Sequence, residues 1–172
     1  MPFIYVRKTD WKPPLRFDSI AKYNRQDLRL QYRQVLEQSK GYLRTDGKGY
    51  QGQPFSTTLR YNFNYFDRLQ FSVVADKDAG EPFFDSLQPY GFDHYSIQLT
   101  LKQIGILDQL TLGDYRLNFG EGLALSQGFS LSYLNTDAIV KKRSYGITPH
   151  RSSSEIDYNR GIAANIDVFN TN

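Results

Sequence analysis

The sequence predicts an all-β chain, an antiparallel up-and-down meander that forms a segment of a transmembrane β-barrel. Three observations carry this expectation. Apolar and polar residues alternate with a period of two, in runs of about nine to eleven residues, the length a tilted strand needs to cross a bilayer. The connections are short at Asp67-Arg68 and Gly105 but long at 41–54, 76–93 and 141–160, an asymmetry that outer-membrane barrels share. The aromatic residues are 13 Tyr and 12 Phe against one Trp, and Tyr is a strand former with an apolar body and a polar tip.

Residues 1–26 hold Trp11, Pro13 and Pro14 and keep no period, so an extended or loop lead-in is expected there, with the barrel segment over 27–172. From Asp27 a strand begins, in which Leu28, Leu30 and Tyr32 alternate with Arg29, Gln31 and Arg33. A glycine-rich polar loop over 41–54 follows. The clearest run is Leu59, Tyr61, Phe63 and Tyr65 against Thr58, Arg60, Asn62 and Asn64. Past Asp67-Arg68, Leu69, Phe71, Val73 and Ala75 resume the pattern, so the two runs read as a hairpin. Tyr95, Ile97, Leu99 and Leu101 define the next strand, and Leu107–Phe119 another.

Gly113 interrupts the phase of that last strand and predicts a bulge. Leu123–Leu134 reads as a less regular strand or pair, 141–160 as a polar loop, and Gly161–Phe169 as a closing strand. No helix of any length is expected. The start, Met1-Pro2-Phe3-Ile4, is not that of a signal peptide, and the final strand stops where a partner is due. If the protein is exported, the chain is expected to be a fragment, or its start is misplaced.

Composition bounds the function. With 21 Lys+Arg against 18 Asp+Glu the net charge is only +3, too mild to imply nucleic acid by itself. The absence of cysteine removes disulfides and thiolate metal sites. Mean hydropathy is −0.56, and no run approaches a membrane helix. A soluble periplasmic β domain would alternate in the same way, with its apolar face turned inward, and stays open as the alternative.

Chemical motifs are sparse. Asp76-Lys77-Asp78-Ala79-Gly80-Glu81 fails as a calcium loop because position 6 is Glu81 and position 12 is Leu87; an irregular cation site with Asp85 and Asp93 competes with a plain hydrogen-bonded turn. Gly120-Glu121-Gly122 lacks the lysine and the helix of a phosphate loop, and reads as a strand bend. His94 and His150 stand without partner spacing. Glu81, Asp114 and Glu121 supply carboxylates, but nothing fixes two of them across a cleft as glycoside hydrolysis requires. No catalytic residue, cofactor or metal is expected. Lys141, Lys142, Arg143 and Arg151 form the one basic cluster suited to an anion, lipopolysaccharide phosphate in an outer membrane, against the bland reading of a hydrated loop.

The stretches KDAGEPFF (77–84), GFDHYSIQL (91–99), LTLGDYRLNFGEGLAL (110–125) and KKRSYGITPHRSSSE (141–155) resemble the β-rich region of the large helix-hairpin-helix domain-containing proteins of Bacteroidota. The pattern runs from about Leu28 to Val168. The resemblance implies an exported, outer-membrane barrel-like region. Its expected partners are outer-membrane lipid and the rest of the parent barrel. The helix-hairpin-helix part itself is not in this chain, so no nucleic acid is expected.

Overall fold

A computed structural model describes residues 14–37, 39–44, 46, 48–86, 88–119, 125–126 and 146–167. A short helix, α1 (Phe17–Tyr23), leads into eight strands: β1 (Arg25–Gln34), β2 (Phe55–Tyr65), β3 (Leu69–Lys77), β4 (His94–Ile104), β5 (Leu107–Phe119), β6 (Leu125–Ser126), β7 (Gly146–Pro149) and β8 (Asn159–Ile166). The first five strands pair in sequence order, each antiparallel to the next. β6, β7 and β8 then all pair with β5. Among the described residues no pairing joins β1 to β8, so the sheet is open.

Two expectations need correction. The lead-in is not wholly irregular: α1 occupies seven of its residues. Seven residues are too few to display an amphipathic period, and the helix rests on local terms. Asp18 sits in its first turn and Lys22 in its last, each matching the helix dipole. The Asn24 amide closes its end by donating to the carbonyls of Ile20 and Ala21, both at 2.9 Å. Second, 141–160 is not loop throughout, because Gly146–Pro149 hydrogen-bonds to β5 as β7. Four residues are too short for alternation to be visible. Of the expected strand over Leu123–Leu134, Leu125 and Ser126 pair as β6, and the rest lies outside the described residues.

The β2–β3 hairpin forms where the sequence placed it. Phe66 and Asp67 have φ of 46° and 57°, the left-handed pair of a primed turn that matches strand twist. Asn64 replaces the missing glycine: its side chain donates to Asp67 Oδ1 and accepts from the Asp67 N–H, both at 3.0 Å.

At Gly113, where a bulge is expected, the register against β8 is regular and the sheet instead changes partners; the register shift against β8 falls between Leu107 and Gln109. Gly113 has φ +92°, and a β-carbon there would stand 2.1 Å from the Ile97 carbonyl oxygen, so only glycine fits. Pairing between β4 and β5 stops at Gly113. At Tyr115, two residues on, β5 pairs with both Pro149 and Asn159. Since β8 already holds one edge, β7 takes the edge that β4 has left.

The register aligns each face across the sheet. Phe63, Phe71, Leu99, Leu112 and Ile162 are cross-strand neighbours in turn. So are Asn64, Gln70, Thr100 and Thr111 on the opposite face. Over β3, β4 and β5 the polar face is the more buried one, whereas β1 is exposed on both faces. Gln70, Ser72, His94, Ser96, Gln98, Thr100 and Thr111 are buried, whereas the fully buried hydrophobic side chains among the described residues are Tyr65, Val74 and Ala75. On the other face Leu28 is 71% exposed, Leu30 69%, Ile97 50% and Ile162 73%.

Candidate functional site

The covered polar face is the feature around which a site can be sought. A hydrogen-bonded chain crosses it: Thr100 Oγ donates to Gln98 Oε1 at 2.9 Å and lies 3.2 Å from Thr111 Oγ. The Gln109 amide donates to Thr111 Oγ and to the carbonyl of Ile147, both at 3.0 Å. β7 and the residues after it lie against this face. Arg151 donates to the Gln70 side chain, and the Tyr158 ring meets that of His94 at 6.1 Å. Alternation puts these polar groups in register, and the segment after β7 supplies partners for some of them, while the Gln98 amide nitrogen and His94 Nε2 are buried without a hydrogen-bond partner.

His150 is buried beside Asp114, whose carbonyl accepts its backbone N–H at 3.0 Å. Its Nε2 lies 3.0 Å from the carbonyl of Ser154. A carbonyl only accepts, so Nε2 carries the proton. Burial, with Arg116 nearby, holds the imidazole below its usual pKa, so the neutral ring is favoured. It stacks on Tyr158 at 4.6 Å. The sequence leaves His94 and His150 as strangers; the fold sets both against one tyrosine.

Asp114 and Arg160 make a two-pronged ion pair across strands. Arg160 Nε donates to Oδ1 at 2.7 Å and Nη2 to Oδ2 at 3.0 Å, a bidentate fork. Nη2 also donates to the Tyr95 carbonyl at 2.8 Å, and the Ile97 N–H reaches Oδ2 at 3.3 Å. The Asp114 side chain is 1% exposed and that of Arg160 62%. The pair bridges β5, β8 and β4 next to Gly113, where the pairing of β4 with β5 ends. It is 46 residues apart in sequence, and no local signal announces it.

At the same end of β4, before His94, the loops 35–54 and 78–93 are joined. Gly52 N–H donates to the Gly80 carbonyl at 3.0 Å, and Gly80 N–H to the Gln53 carbonyl at 2.9 Å. Glu81 Oε2 accepts from the Asp78 N–H at 3.1 Å. Burial and a hydrogen bond with Asp93 push its carboxyl up to about 7.

No protein-family model, curated protein or solved structure matches this chain. Chemistry must therefore be argued from the geometry alone. Of the basic cluster, Lys141, Lys142 and Arg143 lie outside the described residues, and Arg151 is engaged with Gln70. Of the three carboxylates, Glu121 lies outside the described residues, Asp114 is held by Arg160, and Glu81 belongs to the joined loops. Among the described residues no three His, Asp or Glu side chains are grouped to hold a metal ion. The Asp85–Gln88 stretch forms a local bridge, in keeping with the turn reading.

Proposed function

We propose that this chain is a non-enzymatic segment of an outer-membrane β-barrel, with a structural, pore or transport-related role. Its apolar face meets lipid, and its polar face lines a lumen that β7 and the following residues partly fill. The observation that carries the reading is the inversion of burial. Leaving a Leu or Ile side chain in water forgoes roughly 1.5–3 kcal/mol of transfer free energy. Four side chains at half to three-quarters exposure forgo on the order of 5 kcal/mol, comparable with the whole stability of a small domain. A hydrocarbon surround removes that cost, because lumen-facing polar and lipid-facing apolar residues alternate in such barrels.

The open sheet fits the same reading. Unpaired backbone groups along β1 and β8 are costly in lipid, so the remaining strands come from the parent barrel. Among the described residues no helix is long and apolar enough to span a membrane, which bears on helices alone. The likeness to the barrel-like region of the Bacteroidota helix-hairpin-helix proteins belongs to this proposal, as do the outer-membrane location, the lipid partner and the absence of a nucleic-acid partner.

The test is the state of the chain in solution. It is expected to be monodisperse in detergent micelles and to associate through its apolar face and free edges without detergent. A soluble monomer with a cooperative thermal transition in detergent-free buffer would instead support a periplasmic β domain that binds a glycan or partner protein.

A further inference from the structure

The connection between β1 and β2 closes on itself. Tyr42 N–H bonds to the Ser39 carbonyl at 3.0 Å and Leu43 N–H to that of Lys40 at 3.3 Å, making one turn. Asp46 Oδ1 accepts the Lys48 N–H at 3.2 Å, making a second. Tyr50 N–H then reaches back to the Gly41 carbonyl at 3.0 Å and ties the turns together. The approach is too close for larger residues: a β-carbon on Gly41 would stand 2.2 Å from the Tyr50 ring. Tyr50 also packs on Tyr42 at 4.7 Å and lies close to Gly80 of the neighbouring loop.

Beside this brace lies an open concavity of about 610 Å³, lined by Lys40, Gly41, Arg44, Lys48, Gly49 and Tyr50. No acidic side chain is among the six. Arg44 pairs with Asp46 at 3.5 Å, and Lys40 and Lys48 bring the lining to three cations against that one carboxylate. The volume is that of a small-molecule site, and the lining is cationic with one aromatic wall.

A phosphate ester carries about −1.5 to −2 charge at neutral pH, with three acceptor oxygens. Lys supplies point charge to such a group, and Arg a planar fork. A tyrosine ring offers an apolar face and a hydroxyl to whatever the phosphate is attached to. We propose that this cavity binds the phosphate ester of a saccharide, with the phosphate held by Lys40, Arg44 and Lys48 and the sugar ring against Tyr50. The site lies in a loop outside the sheet and does not depend on the barrel reading.

Calorimetry on the full chain in dodecyl maltoside, with glucose 6-phosphate and glucose as probes, tests the site. Glucose 6-phosphate is expected to bind at least tenfold more tightly than glucose, and more weakly as salt rises. Phosphatidylcholine vesicles with and without lipid A distinguish a membrane-borne ester from a free one. The variant Lys40→Gln/Arg44→Gln/Lys48→Gln is expected to lose about tenfold or more in affinity. Arg25→Gln/Arg33→Gln, on β1, should leave it unchanged. In the unsubstituted chain, glucose 6-phosphate should protect Lys40 and Lys48 from acetylation while leaving Lys22 reactive. That measurement needs no variant to fold. Equal affinity for glucose and its phosphate, undiminished binding by the triple variant, or unprotected Lys40 and Lys48 would overturn the proposal.

Discussion

At the scale of single residues, three side chains govern what the chain tolerates. Arg160 is the counter-charge of a carboxylate that is 1% exposed. Arg160→Ala leaves that charge without its cationic partner, which costs about 3–5 kcal/mol for a buried group stripped of its counter-charge. Arg160→Lys should recover only part of this, since an ammonium cannot reproduce the fork. Denaturant unfolding in detergent checks both, and equal stability of Arg160→Ala and the parent chain would contradict the assignment. Gly113→Ala meets the Ile97 carbonyl and a left-handed φ together, so a loss of at least ~2 kcal/mol is expected in the same assay. Glu81 predicts a pH dependence. Its folded pKa of about 7 lies above the ordinary 4.5, so the folded chain binds more protons than the unfolded between those values. Stability is therefore expected to fall as pH rises from about 4.5 to about 7. In Glu81→Gln that part of the slope should vanish; an unchanged profile would show that Glu81 does not titrate with folding.

Among the elements, legibility followed length. β2, β3, β4 and most of β5 stand where alternation puts them, because nine to thirteen residues display several periods. The hairpin turn was legible from its spacing, although its left-handed residues are Phe66 and Asp67 rather than glycine. The sequence marked Gly113 by a phase slip and an expected bulge; the register runs unbroken through Gly113 against β8, and what happens there is the end of pairing with β4. That outcome was not legible, since the change of partner from β4 to β7 depends on a strand 30 residues away with four residues of its own. α1 is hidden for a similar reason: its cap and terminal charges act within two turns. Of the polar contacts, those between alternating neighbours such as Thr100 and Thr111 follow from the register. Asp114–Arg160, the histidines around Tyr158 and the ring of cations at Lys40, Arg44 and Lys48 come from loop closure and strand exchange, which leave no periodic trace.

For the whole molecule, the question is which solvent the apolar face meets. Alternation alone allows either face inward, and the sequence left the two readings open for that reason. The proposal of a lipid-facing apolar side rests on the distribution of burial: Gln98, Thr100 and Thr111 are covered, while Ile97 and Ile162 are not. The most direct test places a fluorophore at Phe63 and, separately, at Asn62, neighbours on opposite faces of β2 whose partners on β3 are Phe71 and Ser72. With the chain reconstituted in vesicles, quenchers confined to the bilayer core should extinguish the label at 63 strongly and that at 62 little. Equal, weak quenching at both positions would contradict the account.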